Sequence, residues 1–224
     1  MRITKKVLFL GKNNDAHTLK ALNHLKLIFT NVEFYLGDWG DPLPVGASCW
    51  EGEILISYKS RWIDPKNLLD KAKELAINFH PASPHYPGIG CINFALYENA
   101  KEYGSTCHHM NPKVDTGDII KVNRFPIYPS DNVETLLTRT YDHQLILFYE
   151  ITTYLYRGES LPKSNEEWSR EPFTRKDFDK INSIQIDMDR SEIKKRIRAT
   201  QYKNFRPKFS SKNSKFKLNR EDKA

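Results

Sequence analysis

Four short apolar runs, each set off from the next by a segment of different periodicity, constrain this chain more than any other feature. They are Val7–Leu10, Val32–Leu36, Ile54–Ser57 and Ala76–His80. Each is the length of a buried strand and too short for a buried helix. Between the first two lies "DAHTLKALNHLKLIF", with apolar residues at helical spacing and Asp15 placed to cap it. Between the last two, "IDPKNLLDKAKEL" reads as a helix with Asp64 as N-cap and Pro65 at its first position. Parallel neighbours need a crossover between them, and helices supply it. The expected fold is therefore α/β, with a doubly wound, mostly parallel sheet.

The second half continues the pattern less regularly. "CINFALYENAKEYG" reads as a helix ended by Gly104, and "STCHHM" and "DIIKVNRFPI" as strands separated by "NPKVDTG". "DNVETLLTRTYDHQLILFYEITTYLYRG" reads as a long amphipathic helix ended by Gly158. Its aromatic stretch through Tyr141–Tyr156 is either core or an interface. Beyond it the chain turns charged and irregular, with a short basic helix in "DRSEIKKRIRAT". The expected division is a core over residues 1–160, an extension over 161–209 and a basic tail over 210–224, read as disordered.

Charge follows the same division. Residues 191–224 hold 12 Lys/Arg against 3 Asp/Glu, a surplus of nine in a net charge of +7, which leaves about minus two for residues 1–190. A basic end on a near-neutral body suits an anionic partner or simply a solvated tail. No apolar run approaches the roughly 20 residues of a membrane span, and none resembles a signal peptide. The three cysteines have no metal-like spacing, so a cytoplasmic protein with reduced thiols, no membrane partner and no metal is expected.

The chemistry concentrates in "LAINFHPASPHYPGIG". Asn78 and His80 stand two apart at the carboxyl end of a strand, so their side chains leave the sheet on one face. In an open parallel sheet that edge is where ligands bind. Asp115, in "KVDTGDII", precedes a later strand and can reach back to the imidazole. An amide donor, a titratable base and a carboxylate to orient it are a sufficient set for acyl-type transfer.

The order of these motifs resembles the folate-dependent formyltransferase family. That family carries Asn-x-His-Pro, then Ser-x-x-Pro and a Gly, then Gly-x-Thr-x-His, then Asp-x-Gly; here they stand as "NFHPASPHYPGIG", "GSTCHHM" and "VDTGDII". The resemblance is strongest over about residues 75–122 and looser over 1–160. It implies a Rossmann-like formyltransferase core with Asn78, His80 and Asp115 as the catalytic trio. Thr106 and His108 match the Thr-x-His element. Ser83, Pro84 and Gly88 remain of the proline-rich loop, while its usual leucines are absent.

The resemblance further implies 10-formyltetrahydrofolate as formyl donor and an amine as acceptor. His80 would take the proton of the amine, Asn78 would donate to the developing oxyanion, and Asp115 would orient His80. Folate would bind near Tyr58 and Lys59 and along the backbone of Gly117 and Asp118. Asn13, Asn14, Arg61 and Gly88 would serve the acceptor, unless Asn13-Asn14 is only a turn before Asp15. Trp62 reads as a packing residue.

Three acceptor classes compete. Methionyl-tRNA formyltransferases carry a sizeable further domain, and glycinamide ribonucleotide formyltransferases a Gly-rich loop where this chain has "GKNNDAH". The members acting on nucleotide-linked amino sugars (dTDP-, UDP- or GDP-linked) have a modest extension, which "EPFTRKDFDKINSIQIDMDRSEIKKRIRATQY" resembles. Lipopolysaccharide or other surface-polysaccharide synthesis and a homodimer are what that group suggests. Nucleic acid is not expected as a partner. A non-catalytic folate or nucleotide binder, or an RNA-binding module, is the reading of another class.

Overall fold

The computed structural model describes residues 2–62, 65–211 and 214–216. In chain order the elements are β1 (Ile3–Lys12), α1 (Ala16–Ile28), β2 (Phe29–Gly37), α2 (Val45–Cys49), β3 (Gly52–Tyr58), α3 (Lys66–Leu69), β4 (Ala72–His80), α4 (Cys91–Tyr97), β5 (Glu102–His109) and β6 (Ile119–Pro126). They continue with α5 (Val133–Arg157), α6 (Arg175–Ile181), β7 (Ser183–Gln185), α7 (Arg190–Thr200), β8 (Lys208–Ser211) and β9 (Ser214–Phe216). The main sheet has the order β2-β1-β3-β4-β5-β6. Strands β2, β1, β3 and β4 run parallel, and β5 and β6 add antiparallel pairs beside β4.

Strand alternation builds two cores from one sheet. Val7 and Phe9 of β1, with Ile54, Ile56 and Tyr58 of β3, face α1 and the Leu147–Phe148–Ile151 stretch of α5. Leu8, Leu10 and Leu55 face the other way, against Trp50 and Leu68. A buried aromatic such as Phe148, fully enclosed, contributes about 1.5–3 kcal/mol by leaving water. One face of the aromatic helix is thus core, through Leu147, Phe148 and Ile151, while Ile146 and Tyr156 remain about half exposed. Its ends behave as the sequence suggests: Asn132 and Thr135 form a capping box, and Gly158 closes it at φ 68°. Asp15 caps α1 by accepting from Thr18 N.

Several boundaries differ from the sequence-based expectation. The segment expected as a long helix before β4 contains only the four-residue α3, with Pro65 as its cap; Asp64 lies outside the described residues. Strand β4 starts at Ala72, because pairing with β3 from Gly52↔Ala72 overrides the helix preference of "AKEL". Helix α4 stops at Tyr97, and Gly104 lies inside β5. A Cβ at Gly104 would stand 2.7 Å from the Asn123 carbonyl on β6, so the glycine serves close strand approach and not a helix end.

The extension folds back onto the core. Helices α6 and α7 pack Phe178, Ile181 and Ala199 against Phe94 and Leu136. Strands β7, β8 and β9 form a separate small sheet, so residues 210–211 and 214–216 of the expected tail are strand. Residues 212, 213 and 217–224 of that tail lie outside the described residues. No described helix is long and apolar enough to cross a membrane.

Candidate active site

A cavity of about 520 Å³ opens at the carboxyl ends of β3 and β4. Asn78 and His80 share the face of β4 opposite the buried Ile77 and Phe79, and both line it. Strand β5 runs antiparallel beside them in a register that sets His108 opposite Asn78 and Thr106 opposite His80. Residues directly opposite in such a pair keep their Cβ atoms about 4.5–5.5 Å apart. The sheet therefore delivers His108 to the cavity wall beside the expected residues. Asp115 comes from the loop before β6, in a left-handed conformation at φ 48°.

These side chains converge on one carboxylate. Asp115 Oδ2 lies 3.2 Å from His80 Nδ1, and Oδ1 lies 3.4 Å from His108 Nε2. The backbone N–H of Gly88 donates to Asp115 Oδ2 at 2.8 Å. His80 Nε2–H donates to the Tyr86 carbonyl at 3.0 Å, and His108 Nδ1–H to the His109 carbonyl at 2.8 Å. Asn78 Nδ2 lies 3.1 Å from His108 Nε2. Burial opposes ionisation of Asp115, but the two imidazoles and the Gly88 N–H outweigh it and hold the carboxyl at about 2. Burial pushes His80 below its ordinary value, against the upward pull of Asp115 and the Tyr86 carbonyl. Both nitrogens of His80 thus face acceptors, so the ring has a ready-made setting for its protonated form.

The extension adds residues 172–175 to the lining and packs Trp168 behind the two imidazoles. Trp168 sets its ring edge-to-face on His80 and His108, with centroids 5.7 and 5.0 Å away, and donates Nε1–H to the Gly117 carbonyl. Phe173 pairs with the loop at Gly88: Phe173 N donates to the Pro87 carbonyl and Ile89 N to the Phe173 carbonyl, both at 2.9 Å. Gly88 has φ 88°, and a Cβ there would sit 2.5 Å from the Phe173 carbonyl. The loop that holds Asp115 is therefore itself held by residues 172–174.

The remaining expected site residues divide. Arg61 and Gly88 line the cavity. So does Lys59, held at φ 56° with only 7% of its surface exposed. Its ammonium binds Asp15 Oδ2 at 2.7 Å and lies 3.2 Å from the Tyr141 ring centroid. Burial lowers the Lys59 pKa to about 8 despite that partner. Burial also opposes ionisation of Asp15, yet Lys59 and the Thr18 N–H bring it to about 2. Trp62 packs in the core beyond β3 and also lines the cavity.

Five of the expected residues do not line the cavity. Tyr58 is fully buried, because it shares the face of Ile54 and Ile56 and packs on Phe79 and Phe148. Gly117 and Asp118 are not among the lining residues; their carbonyls accept from Trp168 Nε1 and His109 N. Asn13 and Asn14 do not reach the wall either. The Asn13 carboxamide is spent on Asp38 and on Asn14 N, while Asn14 makes the turn at φ 48°. His108 and Trp168 are the additions. His108 was marked by the Thr-x-His spacing, but its place beside Asn78 follows only from the β4–β5 register, and Trp168 carries no local signal.

An Asn-x-His strand end and a buried carboxylate at a cavity can hold a proton and donate to a developing oxyanion. Residues 54–152 match the family model described as formyl transferase. Over that stretch the chain is similar to the formyl transferase family. It is 33% identical over 90 residues to methionyl-tRNA formyltransferase of Listeria welshimeri, an overlap of 40% of this chain and 29% of that one. It is 29% identical over 90 residues to phosphoribosylglycinamide formyltransferase of Haemophilus influenzae, or 40% of this chain and 42% of that one. The chain thus spans under a third to under a half of these curated relatives.

Solved structures match its fold along nearly the whole length. A 4-N formyltransferase from Francisella tularensis superposes with a TM-score of 0.76 at 17% identity, over 94% of this chain and 95% of that one. A sugar N-formyltransferase from Shewanella gives 0.74 at 19% identity, over 95% and 96%. An N-formyltransferase from Helicobacter canadensis, solved with folinic acid and dTDP-3-aminofucose, gives 0.67 at 23% identity, over 87% and 80%.

Proposed function

We propose that this protein is an N-formyltransferase that moves a formyl group from 10-formyltetrahydrofolate to the amine of a nucleotide-linked amino deoxysugar. The observation that carries the reading is the convergence of Asn78, His80 and Asp115 on one cavity wall, with the carboxylate ionised beside a buried imidazole. His80 takes the proton that the amine loses on attack, and takes it at Nδ1, the nitrogen that the Tyr86 carbonyl leaves bare in the neutral ring. Asp115 balances the resulting charge, and the Asn78 N–H stabilises the tetrahedral oxyanion. A positioned base contributes roughly 10²–10⁴-fold, and a single oxyanion donor about 10²–10³-fold.

The acceptor class is supported by architecture. The fold matches sugar N-formyltransferases end to end, with the extension included, whereas the overlap with the methionyl-tRNA enzymes covers a minor part of those chains. Arg61 at the rim and the exposed Trp39 give an anion and a flat ring groups to meet. Surface-polysaccharide synthesis and a homodimer accord with the same class.

The test is a mass-spectrometric transfer assay with 10-formyltetrahydrofolate and a panel of nucleotide-linked 3-amino and 4-amino deoxysugars. Glycinamide ribonucleotide and charged initiator tRNA serve as competing acceptors. A formyl mass gain on one sugar nucleotide, lost in His80→Asn, is the expected result. Gain on the tRNA or the ribonucleotide alone would overturn the acceptor, and no gain with any amine would favour a non-catalytic binder.

A further inference from the structure

A carboxamide is nearly symmetric in shape and opposite in chemistry at its two ends. If Asn78 is to stabilise an oxyanion, its NH₂ must face the reacting centre, since a half-turn would present a carbonyl oxygen and repel the charge. Among the described residues, His108 is the one hydrogen-bond partner of the Asn78 side chain. What His108 presents at Nε2 therefore decides which way the amide points.

The backbone fixes one nitrogen of the ring. The His109 carbonyl can only accept, so the Nδ1 of His108, 2.8 Å away, carries the proton. A neutral imidazole protonated at Nδ1 has a bare Nε2. Asn78 must then turn an N–H toward it, across 3.1 Å. A primary amide has two N–H groups, and the second stays available at the cavity wall. The ring itself is held by the direct Asn78↔His108 cross-strand register and by the edge-to-face contact of Trp168, at an interplanar angle of 89°.

We propose that His108 is a positioning residue that sets the orientation of the Asn78 carboxamide: the His109 carbonyl fixes the imidazole tautomer, the imidazole fixes the amide, and the amide keeps a donor aimed at the oxyanion. This rests on the formyl-transfer reading of the site. The competing arrangement is specific. A proton on Nε2, in the other tautomer or in the imidazolium that keeps the His109 bond, would donate to Asp115 Oδ1, 3.4 Å away, and would turn the Asn78 carbonyl inward.

The experiment is a double-mutant cycle with an independent spectroscopic arm. His108→Leu is expected to lower kcat toward the loss of Asn78→Ala, about 10²–10³-fold, with KM for both substrates little changed. His108→Gln, which can accept through Oε1, is expected to recover much of that loss. In an Asn78→Ala background, His108→Leu should cost little more. A full second loss in that background would overturn the proposal, because His108 would then act apart from Asn78. Nitrogen-15 NMR of the histidine side chains in the wild-type protein reads the tautomer without any turnover. A neutral His108 with its proton on Nδ1 is expected, and a proton on Nε2 would overturn the proposal even if the leucine variant failed to fold. Wild-type protein that formylates no acceptor would remove the functional reading alone, and the tautomer would still decide this one.

Discussion

Asp115 holds its Oδ2 3.2 Å from His80 Nδ1, with both side chains only 5% exposed. The two come from different elements, the end of β4 and the loop before β6, and the antiparallel β5 lies between those strands. Burial this deep is costly for an isolated charge and is tolerated here because the carboxylate has two imidazoles and a backbone N–H around it. A proton arriving on His80 is thus met by a charge already in place.

Replacing His80 by Asn should lower kcat by roughly 10²–10⁴-fold, the usual contribution of a positioned base. The fold should survive, since Asn fills part of the same space next to Tyr86. Formyl transfer and the thermal midpoint of the variant, measured together, check this. Near-normal turnover in a folded variant would remove the base assignment.

The acid limb of kcat/KM should lie below the ordinary histidine value of about 6.5, because burial disfavours charged His80. Asp115 pulls the other way, so in Asp115→Asn the limb should move further down while the plateau falls. The stability sign follows for each group. The lowered His80 contributes stability above its unfolded value, lost as pH falls through its folded one. Asp115 contributes fully above about 3.9, and its contribution fades as pH falls toward about 2. Rate profiles of the two proteins check the first statement, and unfolding at pH 2–5 the second. An acid limb unmoved by Asp115→Asn would separate the carboxylate from the base.

Gly88→Ala should damage both stability and activity. The residue sits at φ 88°, and the new methyl would meet the Phe173 carbonyl at 2.5 Å. A strained left-handed position alone costs about 1–3 kcal/mol. The displaced loop also carries the N–H that holds Asp115, so kcat should fall more than the melting temperature alone accounts for. Denaturant unfolding together with kinetics at low temperature separates the two effects.

Asp15→Ala should destabilise the protein by about 3–5 kcal/mol, as removing one partner strands the other charge in a buried pair. Lys59, its side chain 3% exposed, would be left against the Tyr141 ring without its carboxylate, and α1 would lose its cap. Asp15→Asn, which keeps the cap, should lose less. A urea titration of the three proteins reads the order, and equal stability of wild type and alanine variant would show the pair to be dispensable.

The first four strands were legible because apolar runs and turn residues agree with one another there. The start of strand β4 is hidden because "AKEL" favours helix locally, and pairing with β3 decides otherwise. The side-by-side Asn78 and His80 followed from strand parity. The same parity argues against Tyr58, which shares a face with Ile54 and Ile56. His108 needed the antiparallel register of β5, and Trp168 needed the return of the extension over the site; neither relation is written in local sequence.

The pairing of Phe173 with Gly88 also has a meaning in time. Asn78, His80, His108 and Asp115 all leave the ribosome before Trp168 and Phe173 do. A nascent chain that ends short of them would hold every acid–base side chain while the wall of the cavity and the clasp on the Gly88 loop were still missing. Assembly of a working centre therefore waits on the synthesis of residues 168–174, and a chain broken off before them would leave the Gly88 loop without its clasp.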